Sequence, residues 1–247
     1  MKNARLKTLI AILAITWGGL GASRPQEGNV DVLPTDEGEV KIRPITHGSL
    51  MLEFRGKVIH IDPWSRGNYA GLPKADIILI TDIHPDHMDR AMVDHLKKET
   101  TVILAPAAVA ETIREAQIIR NGERKTVEGI TIEAVPMYNL VRGPSPGQLY
   151  HTKGRGNGYV LTLGGRRVYI SGDTECVPEI KALKGIDVAF ICMNLPFTMP
   201  PEEAAECVKA FRPKIVYPYH YRNSDLSRFV DALKGESGIE VRLRNWY

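Results

Sequence analysis

The chain has 247 residues, 43% of them apolar and 25% charged. That composition is ordinary for a globular protein and long enough for one large α/β domain, and it excludes fibrous, low-complexity and disulfide-dense classes. The formal charge of +3 is carried entirely by Lys2, Arg5 and Lys7. The rest of the chain is neutral, which gives no electrostatic reason to expect a nucleic acid or an anionic membrane as partner.

Residues 1–22 have the form of a secretory signal: the positive start, an apolar run over 9–17, then a small-residue stretch from Gly18 to Ser23. The run is shorter than the ~20 residues a spanning helix needs. Export to a periplasm or the outside is therefore expected, with no stable membrane span after processing; the alternative is a tether by an uncleaved amino terminus. Residues 23–38 are polar and contain Arg24-Pro25 and Leu33-Pro34, which predicts a linker. A single domain over 39–247 follows.

In chain order, strands are expected over 40–45, 50–54 and 58–61, the last two joined by Arg55-Gly56-Lys57. The apolar run 77–80 reads as a buried strand, and Met92, Val93 and Leu96 place a helix over 88–98. A short strand over 101–104, a helix over 107–116 and a strand over 130–135 come next. Residues 139–156 form a long Gly- and Pro-rich loop, of a length that is usually functional or mobile. Strands over 158–163 and 167–170 meet at Gly164-Gly165. Further on lie a strand over 186–193, a helix over 201–211 with Glu202 and Glu203 in its first turn, and a strand over 214–217. A helix over 225–233 and a strand over 239–243 close the pattern. Cys192 and Cys207 read as small core residues and Cys176 as a partly buried thiol, since an odd count cannot fully pair within one chain.

The chemistry concentrates in Thr81-Asp82-Ile83-His84-Pro85-Asp86-His87, directly after a buried strand. Two imidazoles and two carboxylates in so short a run supply the nitrogen and oxygen donors that borderline divalent metals take, and packing does not account for them. Asp173 and His220 each stand just after a later strand, and strand ends on one rim are where α/β folds assemble sites. Alone, Asp173 would read as a turn residue and His220 as a structural histidine; with the first cluster the site reading prevails. His60 alternates with apolar residues and reads as structural, His95 as solvent-facing, and His47 either lines the site or caps a strand.

From about Glu39 onward the chain resembles the metallo-β-lactamase superfamily. It looks most like the branch of small metal-dependent hydrolases related to ascorbate-phosphate lactonases and phospholipase-D-type phosphodiesterases. The matching pieces are Thr46-His47-Gly48-Ser49-Leu50, Ile61-Asp62-Pro63, 81–89, 135–139, Ser171-Gly172-Asp173-Thr174 and Pro218-Tyr219-His220. The resemblance implies a four-layer αββα sandwich of two mixed β-sheets flanked by helices, with one or two divalent ions between the sheet rims. Asp86, His87 and His220 would hold one ion, with Asp173 bridging to a second. At the second position Asp82 replaces the usual histidine, and Asn139 stands where a further histidine is usual, His151 being the nearest replacement. That set would comprise His84, Asp173, Asp82 and either Asn139 or His151. Its oxygen content admits manganese or iron beside zinc. Asp62 would support the metal-binding loop from behind, a simple turn residue being the competing reading.

The resemblance implies a hydrolase that uses a metal-activated water on a small-molecule lactone, ester or phosphodiester, with Asp86 and Asp173 catalytic and His151, Lys153 or Arg155 available to an anionic substrate. True β-lactamases usually present a cysteine where Asp173 stands, so antibiotic hydrolysis is disfavoured. The stretch between Asp173 and His220 is too short for the inserted domain of nucleic-acid-processing members. Two rivals come from other classes: a non-catalytic metal-binding protein of the same fold, and a serine hydrolase using Ser49 or Ser171, neither of which lies in a GxSxG motif.

Overall fold

The computed structural model describes residues 30–247. The expected signal segment lies outside the described residues, as does the start of the expected linker. Fourteen strands and five helices are present among the described residues. In the first half these are β1 (Asp31–Thr35), β2 (Gly38–Thr46), β3 (Ser49–Phe54), β4 (Lys57–Ile61), β5 (Ile77–Leu79), α1 (Arg90–Leu96), β6 (Val102–Ala105), α2 (Ala107–Ala110) and β7 (Gln117–Ile118). In the second half they are β8 (Arg124–Val127), β9 (Ile130–Met137), β10 (Gly156–Leu163), β11 (Arg166–Ile170), α3 (Pro178–Lys181), β12 (Val188–Cys192), α4 (Pro201–Phe211), β13 (Ile215–Tyr219), α5 (Leu226–Ala232) and β14 (Glu240–Val241).

The strands form two seven-stranded sheets, each in strict chain order. In the first, β1 to β4 pair antiparallel, and β4 to β7 pair parallel. In the second, β8 to β11 pair antiparallel, and β11 to β14 pair parallel. The halves thus share one pairing scheme, although the sequence shows no repeat. Helices cover the outer faces, giving the expected sandwich.

Strand β5 shows how the layers are built. Ile77 and Leu79 enter the large core between the sheets, whereas Ile78 and Ile80 pack outward with Val93 and Leu96 of α1. The two-residue period makes a continuous apolar run the natural sequence for a strand buried on both faces. Each such side chain contributes about 1.5–3 kcal/mol by leaving water. Helix α1 begins at Asp89, whose carboxylate accepts from the Met92 N–H at 3.1 Å.

Three expectations are corrected. Residues 31–35, assigned to a linker, form edge strand β1, because Leu33 is buried and Asp31 is bound by Arg244 through Oδ1 at 2.6 Å and Oδ2 at 2.8 Å. The helix over 107–116 stops at Ala110; Ile113 is pinned against the α1 side of the core and the chain turns to reach β7. Cys176 and Cys207 are not thiols but a disulfide with a Cα–Cα distance of 5.5 Å, which ties the loop after β11 to α4, while Cys192 is free and buried. Strands β7 and β8 and helix α3 are too short for their sequence patterns to announce them.

Candidate metal centre

The candidate donors stand just beyond strand ends on one rim, except His151, which lies within the loop between β9 and β10. Asp62 follows β4, the Asp82–His87 run follows β5, Asp173 follows β11 and His220 follows β13. His47 follows β2 on the same rim, its carbonyl accepting from the His220 N–H at 3.0 Å. His47, Asp62 and His220 all take positive φ, at 51°, 43° and 49°. Non-glycine residues in that region cost roughly 1–3 kcal/mol each, and such strain gathers at functional sites. Gly48 is required for a close approach: a Cβ there would lie 3.0 Å from the His220 ring and 3.5 Å from that of His87.

The donors converge. Asp173 is central, with Oδ2 at 3.5 Å from Nε2 of both His87 and His151, and Oδ1 at 3.3 Å from Nδ1 of His220. Asp86 Oδ2 lies 3.0 Å from His47 Nε2 and 3.5 Å from His220 Nε2. Three groups have the compactness to hold an ion: His87, Asp173 and His220; His47, Asp86 and His220; and Asp82, His84 and His151. His87 Nε2, His151 Nε2, His220 Nε2 and Asp173 Oδ1 are buried and have no hydrogen-bond partner. Buried polar atoms are rarely left so. Three imidazole nitrogens and a carboxylate oxygen orphaned in one pocket fit a cation.

The supporting contacts fix which atoms point inward. His87 Nδ1 lies 2.8 Å from Asp62 Oδ2, and Asp62 also accepts from the Thr81 N–H at 2.7 Å and the Thr81 hydroxyl at 2.6 Å. Asp62 thus braces the ring from behind and turns Nε2 to the site. Burial opposes charge on His87, but the Asp173 and Asp62 carboxylates outweigh it and raise its pKa well above 6.5. Burial likewise opposes the charge on Asp173, but the imidazoles of His220 and His87 keep its carboxyl well below the usual range. His151 Nδ1 sits 2.6 Å from Asn139 Oδ1, while the Asn139 amide donates to the Phe197 carbonyl at 2.7 Å. Asn139 is therefore committed to the ring of His151, whose Nε2 faces Asp173. Burial lowers the His151 pKa to about 4, so the ring is a neutral donor at pH 7.

His47 belongs to the same network. The Tyr247 hydroxyl accepts from the Arg222 N–H at 2.6 Å and lies 2.6 Å from His47 Nδ1, to which it donates because the proton of the neutral ring sits on Nε2 facing Asp86. His47 Nε2–H then donates to Asp86. Burial lowers the His47 pKa to about 4, leaving it neutral. Nothing in the sequence linked Tyr247 to this site. Buried Glu175, equally silent in sequence, accepts from the N–H groups of Leu140, Val141 and Arg142 at 2.8–3.1 Å and holds the turn that presents Asn139.

The second donor group draws its members, Asp82, His84 and His151, from the expected set. Asp82 and His84 are in contact, Nδ1 to Oδ2 at 2.9 Å, but Asp82 is also gripped by Arg155, Nε to Oδ1 at 3.0 Å and Nη2 to Oδ2 at 2.8 Å. Burial raises and the His84 contact lowers its pKa, to about 2. Arg155 and Lys153, expected to meet an anionic substrate, are already paired, Lys153 with Glu179 at 2.6 Å. His60 is buried and bound to the Pro73 carbonyl, and His95 is exposed, both away from the donors. The serine-hydrolase reading falls: Ser49 and Ser171 are fully buried, and their hydroxyls donate to the carbonyls of Asp62 and Gly172.

Comparison with known proteins places the family. A sequence model of the beta-lactamase superfamily domain matches residues 41–220. The chain belongs to the beta-lactamase superfamily. It is 33% identical over 196 residues to a UPF0173 metal-dependent hydrolase of Thermococcus onnurineus, covering 74% of this chain and 84% of that one. A second UPF0173 metal-dependent hydrolase, from Symbiobacterium thermophilum, is 29% identical over 220 residues, 83% of this chain and 92% of its own length. A crystal structure from Parabacteroides distasonis, named as a metal-dependent hydrolase, superposes with a TM-score of 0.82 at 44% identity, covering 87% of this chain and 98% of that one. By family, this beta-lactamase superfamily protein is a metal-dependent hydrolase.

Proposed function

We propose that the protein hydrolyses a lactone, ester or phosphodiester at a centre of one or two divalent ions, zinc first, with manganese and iron admitted by the carboxylate share of the donors. The observation that carries this is the set of orphaned buried atoms on His87, His151, His220 and Asp173. His87, His220 and Asp86 would hold one ion, His151 and His84 a second, and Asp173 would be shared. The chemistry such a centre supplies when loaded is Lewis-acid activation of water and of the scissile carbonyl or phosphoryl oxygen. Burial opposes charge on Asp86, but the close approach of His220 and the hydrogen bond from His47 hold its carboxyl far below the usual range. Asp86 is thus ionised and fixed by His47, and it orients the attacking water as an acceptor. Asp82 serves with His84 at the rim, its charge shared with Arg155. Export fits the Cys176–Cys207 disulfide, since such bonds persist in oxidising compartments.

Purified protein without residues 1–22 should contain bound transition metal and turn over at least one probe in a screen of esters, lactones and phosphodiesters. Exhaustive chelation should abolish that turnover and re-addition of the metal restore it. Turnover indifferent to chelation would overturn the proposal, and metal without any turnover would favour the non-catalytic reading.

A further inference from the structure

Beside the donors, a cavity of about 660 Å³ is lined by His47, Trp64, Arg66, Tyr221, Arg222 and Tyr247, with Thr46 and Asn223. It touches the centre through His47, which bonds Asp86. Its walls are aromatic: Trp64 and Tyr247 flank the His47 ring with centroids 5.5 and 5.6 Å away, and Tyr221 meets Tyr247 at 4.9 Å. Its two cations are largely uncommitted. Among the described residues, Arg66 has no carboxylate within ion-pair reach and lies over Trp64 at 4.9 Å. Arg222 meets a single carboxylate, Asp86 at 3.9 Å, lies 5.7 Å from the centre of the Phe197 ring, and is half exposed. The three cations of the 139–156 loop, by contrast, are spent: Arg155 on Asp82, Lys153 on Glu179, and Arg142 on Glu175 and Glu203. An adjoining cavity of about 300 Å³ shares Thr46, Arg66 and Tyr247 and adds Arg43, whose Nε is buried without a partner.

Resting on the hydrolase reading, we infer that this cavity is the substrate subsite, and that it selects small molecules carrying a flat apolar group and a permanent anion, phosphoryl or carboxylate, held by Arg66 and Arg222. Guanidinium groups bind both anions in a planar, two-pronged manner, and aromatic walls accept a flat apolar face. A neutral substrate would leave Arg66 with no carboxylate partner and Arg222 with only its 3.9 Å approach to Asp86.

The test is calorimetric titration of the metal-loaded protein with phenylphosphonate, phenylacetate and neutral benzyl alcohol. At least one anion should bind, benzyl alcohol should bind at least about tenfold more weakly, and added salt should weaken only the anion. Arg66→Ala and Arg222→Ala should each cut the anion's affinity about tenfold, with metal content unchanged. The tighter of the two anions assigns phosphoryl or carboxylate. Benzyl alcohol binding as well as the anions, anion affinity unaltered in the double variant, or metal lost from that variant would each overturn the inference. Failure of the hydrolase reading shows separately, as turnover that ignores chelation, and leaves these isotherms intact.

Discussion

Asn139 and His151 act as one unit: Asn139 Oδ1 accepts the Nδ1 proton of His151 at 2.6 Å, so the amide orients the ring and the ring faces Asp173. The sequence left these two residues as alternatives for one ligand position. The structure gives them different jobs, with the imidazole toward the centre and the amide behind it. His151→Ala should therefore lower the amount of metal bound at saturation. Asn139→Ala should keep the stoichiometry and weaken affinity about 10–100-fold, the usual cost of removing a partner behind a ligand. Metal titration of both variants checks this. Equal loss of bound metal in the two would mean that Asn139 itself ligates.

Removing the metal should destabilise the fold. Without a cation, the orphaned nitrogens of His87, His151 and His220 stay buried beside one another. An ion present at about 100 times its dissociation constant adds roughly 2.7 kcal/mol. For a domain of this size that corresponds to a fall in Tm of roughly 5–10 °C on chelation. Thermal scans with and without chelator read it directly, and an unchanged Tm would count against a buried ion.

Much of the site was legible because its donors stand at strand ends, and strand ends can be found from apolar runs. His84, His87, Asp173 and His220 were found in this way. What escaped were contacts made across the fold. Nothing local ties Tyr247 to His47, or Arg155 to Asp82; the first pair is 200 residues apart and the second 73. The Cys176–Cys207 bond needs α4 packed beside the loop after β11, a tertiary fact that an odd cysteine count conceals. The shared pairing scheme of the two halves was invisible too. It makes Asp62, after β4, the positional counterpart of Asp173, after β11, although one braces a histidine and the other faces the centre.

The disulfide gives a third prediction. It closes a segment of sequence separation 31, for which loop-closure entropy predicts roughly 3–4 kcal/mol. Cys176→Ser with Cys207→Ser should lower unfolding stability by about 2–4 kcal/mol in urea, and reductant should do the same to the native chain while leaving the double variant unaffected. Because the bond tethers the loop that carries Asp173, metal affinity should fall alongside. A double variant as stable as the parent would show the tether to be dispensable.

The pair that joins the first strand to the end of the second sheet sets a pH dependence. Asp31 binds Arg244 through both oxygens and accepts from the Tyr217 hydroxyl at 2.9 Å. Burial opposes its charge, yet Arg244 and Tyr217 outweigh that and hold its pKa below 3.8. A carboxyl depressed in the folded state binds fewer protons there than in the unfolded chain. Its stabilisation is therefore fully present above the unfolded value near 4 and is lost as pH falls through the folded value beneath it. Asp31→Asn should cost about 1–2 kcal/mol at pH 7, and that difference should shrink progressively below about pH 4. Urea unfolding of both proteins between pH 7 and pH 3 measures it. A gap that stays constant with pH would mean the substitution acts through packing and not through the ion pair.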